Sequence, residues 1–240
     1  MSRPDRAAAR SAYDFEEAAR YYDRASRLIG FGTGRWYRRW SLARAGLRPG
    51  MAVLDVGTGT GAVARSAVEL LAGTGRVVGV DPSAAMLARA ARPPRLVLLR
   101  ATAEVLPFRD DAFDFLSFGF SLRYLEDVPA ALREARRVLR PGGIVLLLDL
   151  ARPGSRLGYR VARLYLETLV PWLARLTLGG EGRSLMRYCW STVDRAGSPG
   201  VLEAALTECG FALQRYTVWF GIMSEHVAVN TRSPDLARGA

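Results

Sequence analysis

The chain has 240 residues, half of them apolar, with a mean hydropathy near zero; that is enough for one α/β domain with a well-buried core and short for two. Its formal charge of +11 comes from 34 basic residues that are all arginine, spread along the chain (Arg38 and Arg39, Arg133, Arg136 and Arg137, Arg160 and Arg163), which argues against a continuous nucleic-acid track. Without lysine no Schiff base can form, and Cys189 and Cys209 with a single histidine provide neither a zinc-ligand spacing nor a disulfide framework. These features fit a reducing cytoplasm and no bound metal.

Residues 1–12 lack the apolar core of a secretory signal and read as a flexible tail, and no apolar run is long enough to span a bilayer. Residues 13–47 place aromatic, Arg and Ala residues at helical spacing around a glycine-rich break, predicting two helices that form an N-terminal lid. From Met51 the pattern changes to short β-branched runs alternating with Ala/Leu/Arg helices. Strands are predicted at Val53 to Val56, Val77 to Val80, Leu96 to Leu99, Phe113 to Phe118 and Ile144 to Leu150, with helices near 62–72, 83–92 and 128–139. Such alternation is the signature of a parallel sheet built from βαβ units, here a core over 51–150.

Residues 153–197 read as a helical insertion after strand five, with Leu, Val, Tyr and Trp at helical intervals around Pro171. Ser198-Pro199 caps a last helix and Gly210 stops it. Phe211 to Phe220 and Ile222 to Asn230 then form an antiparallel pair, completing a single domain over 13–232 with a short tail at 233–240.

Residues 53–61 read V-L-D-V-G-T-G-T-G, a strand that turns through three glycines into a helix. Glycines permit positive φ and let a ligand approach the backbone. Gly57, Gly59 and Ala62 also satisfy G-x-G-x-x-A, and Asp81 lies 24 residues after Gly57, as the ribose-binding acid of a dinucleotide fold would. Three features favour S-adenosylmethionine instead. Asp55 precedes the glycines, where a carboxylate suits a cationic methionine end and repels a pyrophosphate. Asp81-Pro82-Ser83 followed by Met86 resembles the ribose acid, turn and adenine-side contact of methyltransferases. Leu139-Arg140-Pro141-Gly142-Gly143 resembles the turn those enzymes use to enter strand five. The expected fold is therefore α/β: a Rossmann-like, seven-stranded class I methyltransferase sheet with N-terminal helices and a helical insertion after strand five.

With those residues in place, the chain resembles the C-methyltransferases of ubiquinone and menaquinone biosynthesis over most of its length. The resemblance is carried by Tyr22-Asp23, Trp36-Tyr37-Arg38-Arg39, Leu106-Pro107-Phe108, Phe118 to Arg123, Leu148 to Pro153 and Gly221 to His226. It departs from the family at Ala62, where an Asp is usual, at Ala101-Thr102-Ala103 in place of Gly-Asp-Ala, at Arg123-Tyr124 in place of Arg-Asn, and over 187–193. The motifs and the resemblance together assign cofactor contacts to Tyr22, Asp55, Gly57, Thr58, Gly59, Asp81, Pro82, Met86, Thr102, Ala103 and Phe118. They imply methyl transfer to a small aromatic acceptor, quinol-like or polyketide-type, at carbon or oxygen.

A phenol has a pKa of about 10, so a modest base or a nearby cation eases loss of its proton. Arg123 is the candidate cation or else a structural ion pair, His226 a candidate base or else a strand histidine, and Asp149 an acceptor contact or else a turn cap. Tyr159, Tyr165, Trp172, Tyr188 and Trp190 offer aromatic surface for a flat substrate or for the core. Two other readings stay open: an enzyme that keeps the cofactor as a scaffold for cyclisation or rearrangement, and an RNA-binding methyltransferase. A homodimer and peripheral membrane contact, the latter for a lipid quinol, complete the partners considered.

Overall fold

The computed structural model describes Asp23 and residues 33–150, 153, 155–170, 172, 199–219 and 223–232. Tyr22, Cys189, Tyr188, Trp190, Ser198, the first predicted helix apart from Asp23, and both tails lie outside the described residues. The helices are α1 (Gly34–Arg44), α2 (Ala62–Leu70), α3 (Ala84–Arg89), α4 (Val128–Val138), α5 (Arg156–Arg163) and α6 (Pro199–Glu208). The strands are β1 (Ala52–Val56), β2 (Arg76–Asp81), β3 (Leu96–Arg100), β4 (Phe113–Gly119), β5 (Leu139–Leu150), β6 (Phe211–Trp219) and β7 (Met223–Asn230). They form one seven-stranded sheet in the order β3-β2-β1-β4-β5-β7-β6. Strands β1 to β5 run parallel, and β7 lies antiparallel between β5 and β6. This is the Rossmann-like sheet expected from the sequence.

Burial on both faces explains why the inner strands are near-continuous apolar runs. Leu54, Val56, Leu116, Phe118 and Leu147 pack with Leu132 and Val138 of α4 and Leu206 of α6. Val53, Phe115, Leu146 and Leu148 pack on the other side with Tyr37 and Leu42 of α1 and with Val63 and Ala67 of α2. In β4 an irregularity between Phe113 and Phe115 sends these two aromatics to opposite faces. Asp114, at the irregularity, accepts from the Ala52 N–H and pairs with Arg140.

Several boundaries differ from the sequence expectation. Helix α3 ends at Arg89, before the Pro93-Pro94 pair that would oppose its continuation. Strand β5 starts at Leu139 rather than Ile144: the Leu139 to Gly143 segment already pairs with Phe113 through Leu139, with Gly142 at φ +74°. This segment is the α4–β5 junction at the amino end of β5, at the sheet edge opposite the glycine loop. A short 3-10 turn, Leu122–Tyr124, follows β4 and was not anticipated. Gly210, at φ +79°, terminates α6 as read.

Asn230 locks the α4–β5 junction to β7. Its side chain is 1% exposed, and its amide donates toward the carbonyls of Leu139 (2.9 Å), Arg140 (3.1 Å) and Arg136 (3.2 Å). Asn230→Ala is expected to cost about 1–3 kcal/mol in denaturant unfolding, because buried carbonyls lose their donor. Asn230→Asp should cost more at neutral pH, since a carboxylate would then face those carbonyls, and should recover part of the loss in acid.

Candidate functional site

The glycine loop after β1 is shaped by what surrounds it. Gly57, Gly59 and Gly61 all have positive φ, +67°, +56° and +79°. A Cβ on Gly57 would lie 2.4 Å from the Ser121 Cβ, so this glycine is required by the chain leaving β4 and not by a ligand. A Cβ on Gly59 would meet nothing within 4 Å, so this is where the loop opens toward a ligand. Gly79 in β2 makes room for the Thr58 side chain, which a Cβ there would meet at 2.9 Å.

Asp55 points under the loop, not out of it. One carboxylate oxygen accepts from the Thr58 hydroxyl (2.7 Å) and the Ala64 N–H (3.1 Å), the other from the Ser117 hydroxyl (2.7 Å). The residue is 1% exposed, and burial raises its pKa from 3.8 to about 6 against the lowering effect of those three bonds. The expectation that Asp55 faces a cationic ligand is thus corrected: it braces the loop, and Thr58, turned toward it, does the same. Asp81, at the end of β2, accepts from the Gly59 N–H (2.8 Å) and the Ser83 N–H (2.9 Å), which fixes its carboxylate beside the loop's open side.

The remaining cofactor candidates divide. Pro82 and Thr102 are exposed, and the Ala101 N–H donates to the Asp81 carbonyl, so residues 101–103 lie beside Asp81. Met86 and Ala103 are buried, Met86 in the first turn of α3, which Ser83 caps. Phe118 is 0% exposed within β4 and packs in the core, so it is no ligand contact here. Tyr22 lies outside the described residues, but its neighbour Asp23 accepts from the Thr60 hydroxyl at 2.5 Å, which ties Asp23 to the loop. The groups at the open side, Gly59, Asp81 and the 101–103 turn, fit a nucleoside: a fixed carboxylate for a ribose diol beside backbone with no obstructing side chain.

The three candidate catalytic residues also separate. Arg123 and Asp149 meet at the carboxyl ends of β4 and β5, 2.9 Å apart, with side chains only 10% and 14% exposed. Burial raises the Asp149 pKa despite the adjacent guanidinium. Tyr124 lies next to the pair, its ring centroid 5.3 Å from the Arg123 guanidinium carbon. His226 is 3% exposed in β7, its ring centroid 4.5 Å from that of Tyr216 with the planes tilted by 37°, and burial lowers its pKa from 6.5 to about 4. Burial therefore disfavours its protonated form, which weighs toward the strand-histidine reading over the catalytic base.

Sequence reasoning missed Ser117, Ser121, Thr60 and Phe120. Ser117 is the one polar residue in the inward half of an apolar strand, a signal that was available; the Ser121 hydroxyl bonds the Val56 carbonyl (3.0 Å) and carries no local signature. Phe120 has φ +62°, and its N–H bonds the Leu148 carbonyl at 2.7 Å.

A sequence profile of the ubiE/COQ5 methyltransferase family matches residues 6–230. The chain is 34% identical over 218 residues to the demethylmenaquinone methyltransferase of Thermus thermophilus, covering 89% of this chain and 98% of the relative. It is 29% identical over 223 residues to a ubiquinone/menaquinone biosynthesis C-methyltransferase of Hahella chejuensis, covering 90% and 89%. Among solved structures, an S-adenosylmethionine-dependent methyltransferase from Aquifex aeolicus shares the fold with a TM-score of 0.67 at 18% identity, over 91% of this chain and 99% of that one.

Two glycines separate packing from binding. Gly57→Ala is expected to cost about 2–5 kcal/mol of stability from backbone strain and overlap with Ser121. Gly59→Ala should cost only about 1 kcal/mol of stability yet weaken S-adenosylmethionine roughly tenfold by calorimetry. For Asp55, the raised pKa means that its share of stability is full below about pH 4 and lost as pH rises through about 6. Relative to Asp55→Asn, the wild type should therefore gain about 1 kcal/mol between pH 7 and pH 5, His226 titrating alike in both.

Proposed function

The chain belongs to the ubiE/COQ5 methyltransferase family, and on that premise we propose that it methylates a small aromatic acceptor, quinol-like or polyketide-type, seated against Arg123 and Asp149. The observation that carries this reading is the largely buried Arg123–Asp149 pair at the carboxyl ends of β4 and β5, across the β1 loop from Asp81. The names of the Thermus and Hahella relatives, both of quinone biosynthesis, support the acceptor class.

S-adenosylmethionine supplies an electrophilic methyl group on a sulfonium, held on this reading by Gly59, Asp81 and the 101–103 turn, with Asp81 accepting from the ribose hydroxyls. The protein's own contribution is to place and activate the acceptor. Asp149, raised in pKa by burial, is suited to take the acceptor's hydroxyl proton, and Arg123 to hold the oxyanion left behind. The Tyr124 ring beside Arg123 gives the flat acceptor an apolar wall. The Asp23–Thr60 bond to the glycine loop supports a lid role for the part of residues 13–47 that precedes α1, whereas α1 itself packs on the sheet.

Incubation with methyl-labelled S-adenosylmethionine and a panel of hydroquinones, naphthoquinols and polyphenols tests the reading. Label is expected on an aromatic product, with the carbon or oxygen position read by NMR. Arg123→Gln and Asp149→Asn should each lower kcat about 100-fold or more while leaving cofactor affinity within a few-fold, and Asp81→Ala should abolish measurable cofactor binding. Full turnover by Arg123→Gln, or no labelled aromatic from any member of the panel, would overturn the proposal.

A further inference from the structure

Helix α5, with the wider π-helical turn Leu164–Leu169 that continues it, carries an outward stripe that, among the described residues, neither the sheet nor the site accounts for. Leu157, Val161 and Leu164 recur at helical spacing and are 73%, 60% and 66% exposed; Trp172, about two turns further on, is 57% exposed. The opposite side is the anchored one, with Ala162 and Val170 buried. Arg156, Arg160 and Arg163 line one flank of the stripe and are all exposed. Glu167 pairs with Arg163 at 2.6 Å and is the acidic residue of this described stretch. A surface helix ordinarily turns its polar residues outward; this one turns out branched aliphatics and a tryptophan bordered by arginine.

We propose that this face is a docking surface for an anionic lipid bilayer, with the apolar stripe set into the headgroup boundary and the arginine flank against the lipid phosphates. The charge complementarity is direct: Arg156 and Arg160, beside an Arg163 already offset by Glu167, border the stripe in a chain whose formal charge is +11. Aliphatic residues with a tryptophan on one side and arginines on the flank are the composition of a helix lying in an interface. No helix among the described residues is long and apolar enough to cross a membrane, so the contact is peripheral. Packing against a second copy would instead bring two sets of these arginines into one interface, which like charge opposes. Helix α5 starts soon after Asp149 in the chain, so docking through α5 would keep the end of β5 that carries Asp149 near the bilayer, where an apolar aromatic dissolves. That last consequence rests on the proposed acceptor; the docking itself does not.

The test uses the full chain with unilamellar vesicles of phosphatidylglycerol and phosphatidylcholine, and with phosphatidylcholine alone, read by co-sedimentation and tryptophan emission. Binding to the anionic vesicles is expected, weakening with salt and accompanied by a blue shift that Trp172→Phe reduces. Leu157→Asp combined with Leu164→Asp should lower partitioning at least about tenfold, and Arg156→Ala with Arg160→Ala roughly fivefold per arginine. All these variants should keep wild-type affinity for S-adenosylmethionine, since none touches the glycine loop. Absence of binding, equal binding to neutral and anionic vesicles, or full binding by the double aspartate variant overturns the proposal. So does self-association of the wild type that the aspartates abolish without any lipid binding, which assigns the face to a second copy. Vesicle binding is measured without turnover, so a failed acceptor assignment and a failed docking surface are told apart.

Discussion

The buried carboxylate of Asp55 is the constraint on which the site depends. Ala64 is the third residue of α2, and the residue that caps this helix, Gly61, has no side chain to offer its first-turn N–H groups. Asp55 supplies the missing acceptor from the preceding strand, and its negative charge sits at the positive end of the helix. The same carboxylate holds Thr58 in the loop and Ser117 in β4. One side chain therefore fixes strand, loop, helix and neighbouring strand relative to one another. The burden is visible in its raised pKa: burial outweighs three hydrogen bonds, and the charge of Asp81 adds to the effect. Ionised Asp55 is tolerated because its acceptor positions meet three donors; an apolar residue there would leave Ser117, Thr58 and Ala64 unmatched.

The absence of lysine shapes how the rest is fastened. Arg137 uses its planar fork on both oxygens of Glu134, on Asp110, and on the carbonyls of Leu106 and Phe108. Five bonds in two directions from one group are within reach of a guanidinium and beyond an ammonium. They pin the Leu106-Pro107-Phe108 segment to α4, which gives that motif a structural reason independent of any ligand. Glu225 in β7 is fully buried and held by Arg215 at 3.1 Å and Arg44 at 3.5 Å, and Arg44 also donates to Thr217. Helix α1 is thereby joined to the antiparallel end of the sheet by charge as well as by the Tyr37 and Leu42 packing.

The order of strands and helices was legible because buried parallel strands are written as compact apolar runs separated by amphipathic helices. The direction of individual side chains was not. In β1 all five residues are buried, so no alternation reveals which face Asp55 takes. The same uniform burial hid that Phe118 belongs to the core, and that His226, on the same face of β7 as Ala228, packs inward against Tyr216. Gly57 and Gly59 look alike in sequence, yet one answers to Ser121, sixty-four residues later, and the other to open space. Local sequence specifies that a left-handed turn is needed; it carries no record of which distant atom demands it. Arg123 and Asp149 were each readable as candidates, but their pairing is a product of β4 lying beside β5.

The two halves of the site meet where the strand order reverses, between β1 and β4, the place where such sheets open a crevice at their carboxyl edge. Asp81 belongs to the β2 side of that crevice, Arg123 and Asp149 to the β4–β5 side. The contacts that cross it are short and polar: Ser117 to Asp55, and Ser121 to the Val56 carbonyl with its Cβ against Gly57. Phe120 stands between them in a left-handed conformation that costs a non-glycine residue about 1–2 kcal/mol. Its N–H is anchored to Leu148 of β5, and the turn it makes carries the chain from Ser117 to Ser121, both bonded to β1 or its loop, and on to Arg123, which faces Asp149. Strain at this position is retained because a relaxed extended residue would carry β4 onward along its axis and leave Arg123 away from its partner. The placement of the Arg123–Asp149 pair beside the glycine loop therefore depends on the backbone of Phe120, with the Asp55 bonds on one side of it and β5 on the other.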